Sequence, residues 1–174
     1  MRLICTSALI AVGLAACSPD SQSAAASAAS PAESRGDVHP ESGLPVVDLA
    51  IHGSGSSHRF RVEVATSSAQ QAKGLMFRTA MGADEGMIFP MNPPRMASFW
   101  MRNTVIPLDL LFVGPDQRVI NIAANAVPYS EAPLQSDAPV SAVLELNGGR
   151  AAQLGIKPGD KVVWQASKPL GIGQ

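Results

Sequence analysis

Residues 58–64 constrain the fold most. His58, Arg59, Phe60, Arg61, Val62, Glu63 and Val64 alternate strictly, placing Phe60, Val62 and Val64 on one face and charged residues on the other. A period of two over seven residues belongs to a strand with one face on a core. The apolar stretch 46–51 precedes it, and Gly53, Ser54, Gly55, Ser56 and Ser57 join the two as a turn. The pair predicts a β-hairpin.

Further short elements follow. Thr66 or Ser67 caps a short helix that Gly74 ends, with Gln70 placed to complete a capping box. Strands are predicted at 86–89, at 97–101 beyond a Pro93-Pro94 break, at 108–113 and at 118–123, the last two joined by Gly114, Pro115, Asp116 and Gln117. A strand at 141–146 precedes a short helix at 149–154 closed by Gly155. Lys157, Pro158, Gly159 and Asp160 then turn the chain into a last strand at 161–165. Many short strands with two short helices predict an α+β, mainly antiparallel β domain, compact and barrel- or sandwich-like.

The N-terminus carries an address. Arg2 precedes an apolar run over residues 3–14, too short to span a bilayer, which takes about 20 apolar residues. Leu14, Ala15, Ala16 and Cys17 close it and resemble the lipobox of bacterial lipoproteins. The resemblance implies a signal peptide at 1–16, cleaved before an acylated Cys17, and a partner in the membrane reached through that lipid. Ser18, where an Asp would favour inner-membrane retention, points to the outer membrane facing the periplasm if the source is Gram-negative. Residues 17–44, rich in Ser, Ala and Pro, read as the lipidated cysteine and a tether. The globular domain is predicted at 45–168 and a tail at 169–174.

With Cys5 leaving in the signal and Cys17 acylated, the domain keeps no cysteine, and thiol catalysis and cysteine-ligated metals are excluded. A formal net charge of −1 without a Lys/Arg cluster argues against nucleic acid as a partner. No cofactor motif is present: Lys157, Pro158, Gly159 and Asp160 lack the P-loop pattern, and a strand follows instead of a helix.

Gly74-Leu75-Met76-Phe77-Arg78, Gly86-Met87-Ile88-Phe89, the string from Phe99 through Trp100, Met101, Asn103, Thr104, Ile106 and Pro107 to Asp109, Val143-Leu144-Glu145-Leu146, and the segment 155–160 together resemble the prokaryotic domain-of-unknown-function 192 family. The resemblance covers 46–164 and implies a small, mostly β, often exported domain. It implies no activity.

Candidate ligand-binding residues are Arg78, Trp100, Asn103, Asp109 and Glu145. Asn103 and Asp109 flank the bend that Pro107 imposes beside Trp100, and polar groups at a bend beside an aromatic ring can line a pocket. Arg78 would take an anionic or polar group and Trp100 would stack. The competing reading of the same residues is a structural network in which Arg78 pairs with Asp109 or Glu145 and Asn103 bonds the bend backbone. The leading expectation is an envelope binding or accessory module for a small polar ligand or an envelope protein. One alternative is an envelope hydrolase using Asp109 and Glu145 as converging carboxylates. A second is Cu(I) binding by the recurring thioethers of Met76, Met81, Met87, Met91, Met96 and Met101, against their ordinary use as core filler. His39 falls in the tether, while His52 and His58 flank the first turn without a third ligand.

Overall fold

The computed structural model describes residues 37–165. The proposed signal peptide, Cys17, the tether up to residue 36 and the tail lie outside the described residues.

The chain runs β1 (Asp37–Val38), β2 (Pro45–His52), β3 (Ser57–Val64), α1 (Ser68–Lys73), β4 (Glu85–Arg95), β5 (Ser98–Phe99), β6 (Leu108–Val113), β7 (Val119–Ala126), β8 (Leu134–Gln135), β9 (Val140–Asn147), α2 (Arg150–Leu154) and β10 (Lys161–Trp164). The main sheet has the order β1-β2-β3-β4-β9-β6-β7, with β10 also on β2, and β5 pairs with β8 separately. Pairing is antiparallel except between β3 and β4, which are parallel across the α1 connection. The α+β, antiparallel-rich fold predicted from the pattern is therefore the fold observed. At one end the sheet curls back on itself: Arg118 bridges Lys161, and Val119 N–H donates to the Asp160 carbonyl at 2.9 Å. Gly159, at φ 93°, makes the turn that brings β10 there, and Asp160 accepts from Lys157 N–H at 2.9 Å.

The predicted hairpin is β2–β3, in register from Val46–Glu63 to His52–Ser57. Ser67 caps α1, and Gln70 completes the box with 2.8 Å and 3.2 Å bonds. The Pro93-Pro94 break takes another form. β4 runs through both prolines to Arg95, the Asn92–Pro93 peptide is cis, and regular pairing with β9 is lost between Pro90 and Arg95. Prolines cannot donate to a ladder, so the strand persists only as an unpaired, bent stretch.

β6, residues 86–89 of β4 and residues 142–146 of β9 are buried on both faces, and their alternation divides the interior in two. Ile88, Leu111, Leu144 and Leu146 join Leu49, Ile51, Phe60 and Val62 in the core that the curled sheet encloses. Met87, Phe89, Leu110, Phe112 and Val143 face the opposite side, where Leu75, Ala97 and Met101 cover them. Gly86 lets β4 and β9 approach closely, because a Cβ there would stand 2.5 Å from the Glu145 carbonyl oxygen.

Residues 37–44, grouped by composition with the tether, belong to the fold. β1 pairs with the start of β2, and Leu44 is buried in the second core. Ser42 Oγ donates to Glu63. The composition of the segment hides this because one buried leucine and a few side-chain bonds suffice to fix it.

Asp109 is a fold residue. It is completely buried on β6, opposite Leu146. Its Oδ1 accepts from Asn125 N–H at 2.7 Å and Gly149 N–H at 2.9 Å, and its Oδ2 accepts from Ala151 N–H at 2.8 Å. Gly149, the N-cap of α2, has no side chain, so Asp109 caps that helix from across the sheet. Asp109→Asn replaces one acceptor oxygen by a donor facing N–H groups. It should cost about 2–3 kcal/mol of stability, read as a lower urea midpoint.

Candidate functional site

The expected network does not form among the predicted residues. Arg78, which follows the turn after α1, is buried and pairs with neither Asp109 nor Glu145. Its Nη1 and Nη2 donate to the two oxygens of Glu63 at 2.7 and 3.2 Å, and its Nε lies 3.3 Å from Glu41. His39 lies against the same pair, its Nδ1 3.7 Å from Glu63 and its Nε2 3.5 Å from Arg78. Burial alone would lower the Arg78 pKa. The bonded Glu63 carboxylate, with the charges of Glu41 and Glu85, outweighs burial and raises it, so the guanidinium is firmly charged. This bidentate pair ties residues 39–44, β3 and the segment after α1 together.

Asp109 and Glu145 are on neighbouring strands but opposite faces. Glu145 stands opposite Met87 on β4 and Leu110 on β6, facing the second core, whereas Asp109 faces the first. A two-carboxylate hydrolytic site requires both groups on one substrate, and this sheet separates them. Asn103 sits at φ 56° with its amide Nδ2 3.9 Å from Met76 Sδ, and its own carbonyl accepts from Phe77 N–H at 2.8 Å. Its side chain makes no bond to the Pro107 bend. Its neighbour Thr104 is buried, and its carbonyl accepts from Tyr129 N–H at 3.2 Å.

Trp100 and Glu145 both line a cleft of about 600 Å³ on the second-core face. Its inner wall is Leu75, Phe89, Met91 and Ala97, all buried, with Phe99 edge-on to Phe89 at a centroid distance of 5.2 Å. Trp100, 49 % exposed, stands at the mouth with Lys73, Arg95 and Glu131. One side of its ring carries the Arg102 guanidinium at 5.5 Å. Gln71 fixes α1 over the cleft by donating to the Ala65 and Pro90 carbonyls at 3.2 and 2.9 Å. Met76 and Met96 also line the cleft, whereas Met87 and Met101 are core residues outside it.

Glu145 is 5 % exposed, and its Oε2 is buried without a hydrogen-bond partner. Desolvation pushes its carboxyl up to about 8. At neutral pH it is therefore mainly an uncharged acid at the closed end of an apolar cleft.

The geometry invites comparison with known proteins. The family model DUF192, described as "Uncharacterized ACR", matches residues 49–164. The chain belongs to the DUF192 family. A protein of unknown function from Novosphingobium aromaticivorans DSM 12444 is 66 % identical to this DUF192 chain, covering 74 % of it and 91 % of its own length, with a TM-score of 0.73. A structure from Sinorhizobium meliloti 1021, described as a "putative transcription regulator", is 38 % identical, covering 70 % and 95 % of the two chains with a TM-score of 0.68. No curated protein matches this DUF192 chain.

Sequence reasoning singled out neither Glu63 nor Phe89 for the site, and set Met91 only among the thioethers. Glu63 occupies the polar phase of an alternating strand, and only the covering chain at 39–44 and Arg78 bury it. Glu145 yields a pH prediction. Its pKa is higher in the folded than in the unfolded chain, so the native state binds the extra proton and stability falls as pH rises from about 4.5 to about 8. Glu145→Gln should flatten that decline, seen as a smaller difference between urea midpoints at pH 5 and pH 8 than in the wild type.

Proposed function

We propose that this DUF192 domain is a binding module whose cleft between α1, β4 and the segment 96–100 holds a small ligand. The observation that carries the reading is Glu145, a buried carboxyl with an unpartnered oxygen at the closed end of that cleft. A buried polar atom without a partner costs stability unless something else satisfies it. The cleft's volume and its apolar inner wall match what small-molecule sites are built from. Of the five residues singled out in the sequence, Trp100 and Glu145 belong to this site, while Arg78 and Asp109 hold the scaffold around it. In an amide chemical-shift titration with fragment-sized compounds, binders should move Leu75, Ala97, Trp100 and Glu145 together. Shifts scattered over the surface, or none, would overturn the reading.

We further propose that the module works at the cell envelope, attached through a lipid on Cys17, on the strength of the Leu14-Ala15-Ala16-Cys17 signature. Radiolabelled palmitate fed to expressing bacteria should label the protein. Cys17→Ser should abolish the label and move the protein from the membrane to the soluble fraction.

A further inference from the structure

We infer that the closed end of the cleft is a cation site, in which Glu145 receives the ammonium group of a ligand whose apolar body lies on Phe89, Met91 and Phe99. The inference rests on the cleft being a ligand site and names the chemical class it takes.

The inner cleft offers one charged or chargeable group, and it is an acid. Met87 and Leu110 flank Glu145 on the neighbouring strands and provide no counter-charge. The other charged groups that line the cleft, Lys73, Arg95 and Glu131, are exposed at its mouth. Arg102 lies 3.8 Å from Glu131. An anionic head entering the cleft would pass those cations only to end against a carboxyl in an apolar wall. A cationic head finds there the missing partner of Oε2. The wall suits it as well: the aromatic rings of Phe89 and Phe99 and the thioether of Met91 present electron-rich, polarisable surface.

The proton balance is defined. Empty, Glu145 holds its proton because burial disfavours the carboxylate. An arriving ammonium supplies the opposing charge, the carboxylate forms, and one proton leaves to solvent for each ligand bound. Apparent affinity should then rise with pH, by close to tenfold per unit, as long as the empty site is protonated.

The test compares n-hexylammonium with n-hexanol, which share an apolar chain and differ in the head group. Calorimetric titrations at pH 7 in two buffers of different ionisation enthalpy count the protons released. The wild type should bind hexylammonium with release of most of one proton per ligand, and at least tenfold more tightly than hexanol. Glu145→Gln, of similar shape but unable to carry charge, should lose that preference. Hexanol binding as well as hexylammonium, or hexylammonium binding without proton release, would overturn the cation assignment and leave the cleft as a site for neutral ligands. The same holds if fragments occupy the cleft and hexylammonium does not. If neither probe nor any fragment shifts the cleft amides, the binding reading falls together with this inference. The proton count is made on the wild type, so it stands even if Glu145→Gln folds poorly.

Discussion

The structure depends on one constraint: β4, β9 and β6 are covered on both faces. In a sheet with one wet face, polar residues on alternate positions point to water. Here residues 86–89 of β4, 108–113 of β6 and 142–146 of β9 are buried throughout, and any charged residue among them must be accommodated inside. Asp109 and Glu145 are the two such residues on β6 and β9, and the alternation sends them to opposite sides. Asp109 is compensated by three backbone N–H groups and becomes a brace for α2 and the end of β7. Glu145 has an unpartnered oxygen and the cleft in front of it. The same burial that makes one carboxylate structural leaves an oxygen of the other without a hydrogen-bond partner.

Much of the fold was legible because its local signals are strong. The hairpin follows from strict alternation over 58–64, α1 from its Ser67–Gln70 box, and the β6–β7 turn from Gly114, Pro115, Asp116 and Gln117. The apolar run 108–113, interrupted only by Asp109, already has the composition of a strand without a wet face. What was not legible depended on which residues meet across long sequence separations. Arg78 finds Glu63 and Glu41, both on chain that precedes it, and nothing in the spacing selects them over Asp109 or Glu145. The side-by-side placement of Asp109 and Glu145 in neighbouring strands does not reveal their faces until the register is known, since a shift of one residue inverts it.

The Arg78–Glu63 pair also explains why the domain begins earlier than composition indicates. A buried ion pair left uncovered would be solvated and weakened, and a bidentate guanidinium–carboxylate pair gains from exclusion of water only if its remaining bonds are satisfied. Ser42, Glu41 and His39 provide that cover. A stretch that reads as polar linker is thereby the lid of an electrostatic contact, a role that needs few apolar residues and leaves little trace in hydropathy.

The curl of the sheet is joined to β10 near the start of β7 only. Farther along, the Asn121 side chain grips the neighbouring chain, donating to the Gln135 carbonyl at 3.0 Å and accepting from Asp137 N–H at 3.1 Å. That chain belongs to the flap formed by β5 and β8, which leads into the wall of the cleft at Ala97. These bonds run through the Asn121 side chain and hold the segment 135–137 against β7. The segment 135–137 is thus held to β7 at Asn121 and to Ala97 through Ser136, so the wall of the cleft is moored to the edge strand of the sheet.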